Sequence, residues 1–146
     1  MAQVTAQASR SIAAPADKVF AALADYATTR PKILTESYHD YRVESGGHGA
    51  GSRVAWKLQA TKSRVRDQVV EVSEPAAHQL VESDANSSMV TVWTVAADGD
   101  RSTVTVDTSW NGAGGIGGFF ERTFAPRGLA RIHDGVLEKL DAVVSQ

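Results

Sequence analysis

The feature that most constrains this chain is one amphipathic stripe near its end. Leu129, Ile132, Val136, Leu140 and Val143 recur at steps of three and four, the spacing that stacks side chains on one face of an α-helix. The pattern predicts a regular packing helix over 127–144, the one long helix of the chain. A helix that is apolar on one side must bury that side, and a sheet built by the preceding segments is the partner available to it. Ahead of the stripe stand the glycine cluster Gly112-Ala113-Gly114-Gly115-Ile116-Gly117-Gly118 and the phenylalanines Phe119, Phe120 and Phe124. Pro126 lacks a backbone donor, so the helix is expected to kink or restart there.

The earlier residues supply the sheet. Val4, Ala6, Ala8 and Ile12 alternate with Thr5, Gln7, Ser9 and Ser11, the period of a half-buried strand. Pro15 and Asp17 then suit the first turn of a short helix on which Ala16, Val19, Phe20 and Leu23 share a face. Arg30-Pro31 argues against helix at Arg30, while Lys32-Ile33-Leu34 leaves room for another helical turn. From Tyr38 onward, alternating segments separated by turn chemistry read as an antiparallel meander. Tyr41 and Val43, then Val54, Trp56 and Leu58, flank a glycine-rich turn. Further strands are expected over 63–72, 79–83, 89–96 and 102–110, with Asp98-Gly99-Asp100 as the clearest hairpin turn. Arg64, Arg66 and Gln68 run in phase with Val70 and Val72, which calls for a bulge or an inward polar patch. About seven strands result, and no repeat or low-complexity linker divides residues 1–146.

Composition narrows the function classes. A chain of 146 residues suits one domain that buries roughly two-thirds of its unfolded surface. It contains no cysteine, which excludes thiolate metal sites, a thiol nucleophile and disulfides and fits a reducing compartment, so a cytoplasmic location is expected. A net charge of -2 with both signs scattered offers no basic stripe for nucleic acid. The first residues lack a basic segment followed by an apolar one, and no apolar run approaches the length that spans a bilayer. Neither nucleic acid nor a membrane span is expected.

Three stretches carry a resemblance. Ala14-Pro15-Ala16-Asp17-Lys18-Val19-Phe20 opens the first helix, Val70-Glu71-Val72-Ser73-Glu74-Pro75 closes a central strand, and Gly117-Gly118-Phe119-Phe120-Glu121-Arg122-Thr123-Phe124-Ala125-Pro126 leads into the last helix. With the order strand, short helix, meander and long helix, the chain resembles the START-like SRPBCC superfamily, and within it the polyketide cyclase/dehydrase and lipid-transport group. The resemblance implies an α+β helix-grip fold, in which a curved antiparallel sheet wraps a long C-terminal helix and leaves a cavity for an apolar ligand. Some members of that group are cyclases or dehydratases and others only bind or carry lipids, so fold alone does not decide function.

The candidate residues follow from the same pattern. Three tryptophans on separate strands make bulky, rigid walls suited to a flat or greasy ligand. The expected cavity lining is Tyr41, Trp56, Leu58, Trp93, Val106, Trp110, Phe120, Phe124, Ile132, His133 and Val136. Trp93 has apolar residues in both phases of its strand, so its direction is open. His133 borders the helix stripe and is expected to be partly exposed there, with a catalytic role requiring a carboxylate such as Asp67 or Asp107 behind it. Gly135 leaves room on the helix for the sheet or for a ligand. Arg64, Arg66 and Asp67 are expected on a solvated face; an inward Arg66 would instead meet an acidic head group.

Other motifs carry less. Gly112 to Gly117 match the spacing GxGxxG, but no second strand with an acid follows, so a dinucleotide site is not expected and the loop is read as a helix lead-in or a gate over the cavity. The four histidines lack ligand spacing, and neither a metal nor a cofactor is expected. The reading is therefore a monomer or homodimer that binds a small hydrophobic or aromatic molecule, lipid or polyketide-like. The rivals are a cyclase or dehydratase using a cavity histidine, tyrosine or acid, and a partner-binding, antitoxin-like module.

Overall fold

The structure is a computed structural model that describes residues 3–61, 64–111 and 126–145. Seven strands form one sheet: β1 (Gln3–Ile12), β2 (Tyr38–Ser45), β3 (Arg53–Thr61), β4 (Arg64–Ser73), β5 (Gln79–Asp84), β6 (Val90–Asp98) and β7 (Arg101–Asn111). Their order is β1-β7-β6-β5-β4-β3-β2, antiparallel throughout. Only β1 departs from sequence order, because the two helices α1 (Ala16–Ala24) and α2 (Arg30–Ile33) carry the chain from one edge of the sheet to the other. A third helix, α3 (Pro126–Val144), follows β7 and packs against β1 and both short helices.

Period-two alternation places the core on one face. Val54, Trp56 and Leu58 from β3, Val70 and Val72 from β4, and Val104, Val106 and Trp110 from β7 are all buried. Trp93 points inward with Val95, and its indole sits across from Val106 in the β6–β7 register. The polar phase of β4 has two explanations at once. Its pairing with β3 shifts between Gln59 and Thr61, and Gln68 faces inward, buried, where its side-chain oxygen accepts a hydrogen bond from Trp56 Nε1 at 2.8 Å. Asp67 is exposed and Arg66 half-buried.

Two expectations about the helices are corrected. Arg30 is helical, as the first residue of a four-residue α2 with Pro31 just inside it; proline disfavours α geometry in its predecessor, but the contacts of the Arg30 side chain hold it there. On α3 the buried stripe is Leu129, His133, Val136, Leu137, Leu140 and Val144, whereas Ile132 and Val143 are only half-buried. The helix is thus rotated by about one position from the orientation its aliphatic residues alone suggest. Pro126 is the first described residue of α3, so the kink or restart expected there involves residues outside the described ones. Gly135 makes room for neither sheet nor ligand: a Cβ there would lie 2.9 Å from Thr35 Cγ2, so the gap accommodates the segment leaving α2.

Candidate functional site

The site begins at the end of α1. Asp25 caps that end through its backbone N–H, which donates to Ala22 O at 3.3 Å, while its carboxylate holds the following turn, accepting from Thr28 N at 3.1 Å and from the Thr29 hydroxyl at 2.9 Å. The glycine-rich turn between β2 and β3 folds over the same point, with Tyr26 N donating to Gly47 O at 2.8 Å and Gly49 N to Ala24 O at 2.9 Å. That turn needs glycine at Gly46, which has φ of 72° and whose Cβ would lie 2.8 Å from Ser52 Cα. The result turns Tyr26 and Arg30 inward toward β5 and β6.

There they meet Glu82. Arg30 and Glu82 form a salt bridge of 2.7 Å with both side chains 3% exposed, far from the solvated state in which such pairs contribute little. Tyr26 OH donates to Glu82 Oε2 at 2.6 Å and Trp93 Nε1 to Glu82 Oε1 at 3.0 Å. Arg30 Nε donates to Leu23 O at 2.8 Å, and its guanidinium lies over the rings of Tyr26 and Trp93 at 4.5 and 4.7 Å. Burial is the largest single influence and opposes the Arg30 charge, but the Glu82 carboxylate together with Tyr26 and Tyr41 outweighs it and holds the Arg30 pKa above the ordinary value. Burial likewise pushes the Tyr26 phenol far upward, with Glu82 reinforcing the shift and Arg30 opposing it, so Tyr26 serves only as a neutral donor. Both Glu82 oxygens are occupied by the protein itself.

Across the core, α3 supplies His133. The imidazole is 3% exposed, and its Nε2 lies 2.8 Å from Thr108 Oγ1, which in turn lies 2.8 Å from Thr91 Oγ1. Its ring meets the edge of Trp93 at a centroid distance of 6.2 Å. Burial pushes the His133 pKa down to about 4, so the ring is neutral at pH 7. Nδ1 is buried and has no hydrogen-bond partner among the described residues.

Between these two polar groups lies a cavity of about 20 Å³, space for one water molecule. Its walls join α2, the inner face of the sheet and α3, and they are apolar apart from Arg30, Gln68, Glu82, Asp84, Thr91, Thr108 and His133. Of the residues expected around it, Trp56, Leu58, Trp93, His133 and Val136 line it. Val106 and Trp110 are buried core on β7, away from its wall. Tyr41 stacks on the outer side of Trp56 at 6.2 Å and donates to Tyr26 O at 2.5 Å. Ile132 belongs instead to an open surface cleft of about 350 Å³ with Thr35, Glu36, Ser37, Gly128 and Arg131. Phe120, Phe124 and the loop Gly112 to Gly118 lie outside the described residues.

Sequence reasoning missed the Arg30–Glu82 pair and the partly exposed His133 it expected is buried. A signal for Glu82 existed: it shares its strand phase with Leu80, an acid on an inward face. Nothing local to Arg30 announces its burial. Asp67 and Asp107 are not His133's partners; a threonine hydroxyl takes that place.

A curved antiparallel sheet gripping a long C-terminal helix over a small, mostly apolar cavity defines a START-like, helix-grip domain. Residues 3–145 match the family described as polyketide cyclase / dehydrase and lipid transport, and the chain belongs to that family. It is similar over 100% of both chains to the KanY protein, solved by NMR, at 53% identity and a TM-score of 0.91. A START superfamily protein from Mycobacterium smegmatis shares the fold at 11% identity, with 97% of each chain covered and a TM-score of 0.72. The ginseng major latex-like protein 151 from Panax ginseng does so at 14% identity, again with 97% of each chain covered and a TM-score of 0.72. None of the curated proteins matches the chain. No described helix is long and apolar enough to cross a membrane.

Proposed function

We propose that this protein binds a small hydrophobic or aromatic molecule between the sheet and α3. The observation that carries the reading is the inward cavity itself, where apolar walls surround a few buried polar groups, the usual make-up of a small-molecule site. At about 20 Å³ it holds no more than a water molecule, so a ligand enters by displacing side chains. Met89, unbranched and adaptable, and the Trp56 and Tyr38 rings, which meet edge to face at 5.8 Å, are the groups placed to move. Burial against these surfaces supplies affinity of roughly 25 cal/mol per Å² of apolar area removed from water.

Native mass spectrometry after gentle purification tests the reading. A co-purifying small molecule is expected on the wild type and not on Val136→Phe, which fills the cavity from the helix side. A ligand retained by that folded variant would place it elsewhere.

A second reading, an enzyme of the cyclase or dehydratase kind, is favoured by one observation: a neutral imidazole on the cavity wall whose Nδ1 is buried and without a partner among the described residues. Proton transfer is most efficient when the catalytic pKa lies near the working pH, and His133 at about 4 is a weak base at neutrality. Binding therefore ranks ahead. The partner-binding reading needs an exposed apolar face, and among the described residues Val65 is the one large hydrophobic side chain standing exposed.

A further inference from the structure

The cavity contains two polar stations, and they differ in what remains available. At the first, the Glu82 oxygens accept from Tyr26, Trp93 and Arg30, so that station is neutral as a unit and its carboxylate is taken. Asp84, also on the wall, is spent on the β5–β6 turn: it accepts from Val69 N and Asn86 N at 3.1 Å and from Ser87 Oγ at 2.6 Å. At the second, His133 Nε2 is committed to Thr108, but Nδ1 is buried with no partner among the described residues. A buried nitrogen left unpaired bears the full cost of its lost hydration, so a partner brought by the ligand gains more here than at any satisfied group.

We propose that His133 Nδ1 is the polar recognition point of the cavity, and that its ligand is an uncharged apolar or aromatic molecule carrying a hydroxyl group that bonds to that nitrogen. The proposal rests on the ligand-binding reading above and adds the chemical class. A hydroxyl both donates and accepts, so it satisfies Nδ1 in whichever tautomer the Thr91–Thr108 chain imposes. The charges on the wall argue against an anion. Arg30 is the one cation there, already paired, while Glu82 and Asp84 add two carboxylates, so a ligand carboxylate would be buried without a counter-charge. A cation gains little either, since both acids have their oxygens engaged by the protein.

Three flat probes of similar size separate the possibilities: 2-naphthol, naphthalene and 2-naphthoate, titrated against the wild type, His133→Phe and His133→Asn with tryptophan fluorescence as the readout. The wild type is expected to bind 2-naphthol roughly tenfold more tightly than naphthalene, the worth of one hydrogen bond in a buried site, and 2-naphthoate more weakly than either. His133→Phe is expected to erase the preference for 2-naphthol while keeping naphthalene. His133→Asn, whose amide reaches the position of Nδ1, restores part of it. Equal binding of naphthol and naphthalene by the wild type, or a preference that survives in His133→Phe, overturns the assignment and leaves the binding reading standing. Failure of all three probes to bind overturns both. Should His133→Phe not fold, the wild-type His133 Nδ1 resonance decides in its place: it should move with 2-naphthol and not with naphthalene, and an Nδ1 shift that is unmoved by bound 2-naphthol overturns the assignment.

Discussion

At the scale of residues, the buried charges are where the structure departs furthest from what its sequence advertises. Removing one partner of a buried ion pair leaves the other uncompensated, a loss of roughly 3–5 kcal/mol. Glu82→Leu is therefore expected to lower the unfolding free energy from urea titrations by that amount, while Arg30→Met combined with Glu82→Leu recovers much of it; a double variant no better than the sum of the singles contradicts the pairing. His133 gives a pH signature. An imidazole in the unfolded chain titrates near about 6.5, against about 4 in the fold. Above the higher value neither state is protonated and the full stability is present; between the two only the unfolded chain takes the proton, so stability falls as pH drops and levels off below the folded value. Between pH 7 and pH 5 the loss from this residue is about 2 kcal/mol, read as the difference between wild type and His133→Asn in urea titrations at both pH values. Equal losses in the two proteins contradict a buried neutral imidazole. These residues are hard to read because histidine is intermediate in burial and arginine is mostly exposed unless paired, and their partners lie on other elements: Glu82 is 52 positions from Arg30, by their numbers.

Elements were far more legible, since periodicity reports which face is buried without needing the partner. All seven strands and both longer helices follow from alternation and turn chemistry. Two misreadings have causes outside the local sequence. Arg30 is drawn into α2 by contacts that no window around Arg30-Pro31 contains. The α3 stripe was placed by its aliphatic members, but the helix is gripped on the side that buries His133 and Leu137, because the cavity wall accepts an imidazole that bonds to Thr108. Gly135 tests the packing of α3. Alanine gains about 1 kcal/mol of helix propensity over glycine, yet its Cβ would meet Thr35 Cγ2 at 2.9 Å. Gly135→Ala alone is expected to lower the melting temperature, and adding Thr35→Ser, which deletes that methyl, should raise it above wild type. A stabilising single variant would mean that α3 and the segment after α2 are not in this contact.

At the scale of the whole molecule, the sheet, α2 and α3 together close a space that no one of them defines. The family and the helix-grip architecture are readable from the order of elements, and Trp56 and Trp110 mark the inward face, while the direction of Trp93 is open from its strand alone. Which of the expected residues reach the cavity was not readable, since strand phase distinguishes inside from outside but not cavity wall from solid core. Val106 and Trp110 share the phase of Thr108, yet of the three only Thr108 lines the space. The small volume implies that binding widens the interior, so it should be felt first by the side chains that wall it. Methyl NMR of the protein titrated with 2-naphthol measures this directly. Saturable shifts are predicted at Leu58, Val70, Met89, Leu129 and Val136, with Val65 and Val81 on the outer face unmoved; shifts on the outer face alone, or none at all, would contradict a ligand site between the sheet and the C-terminal helix.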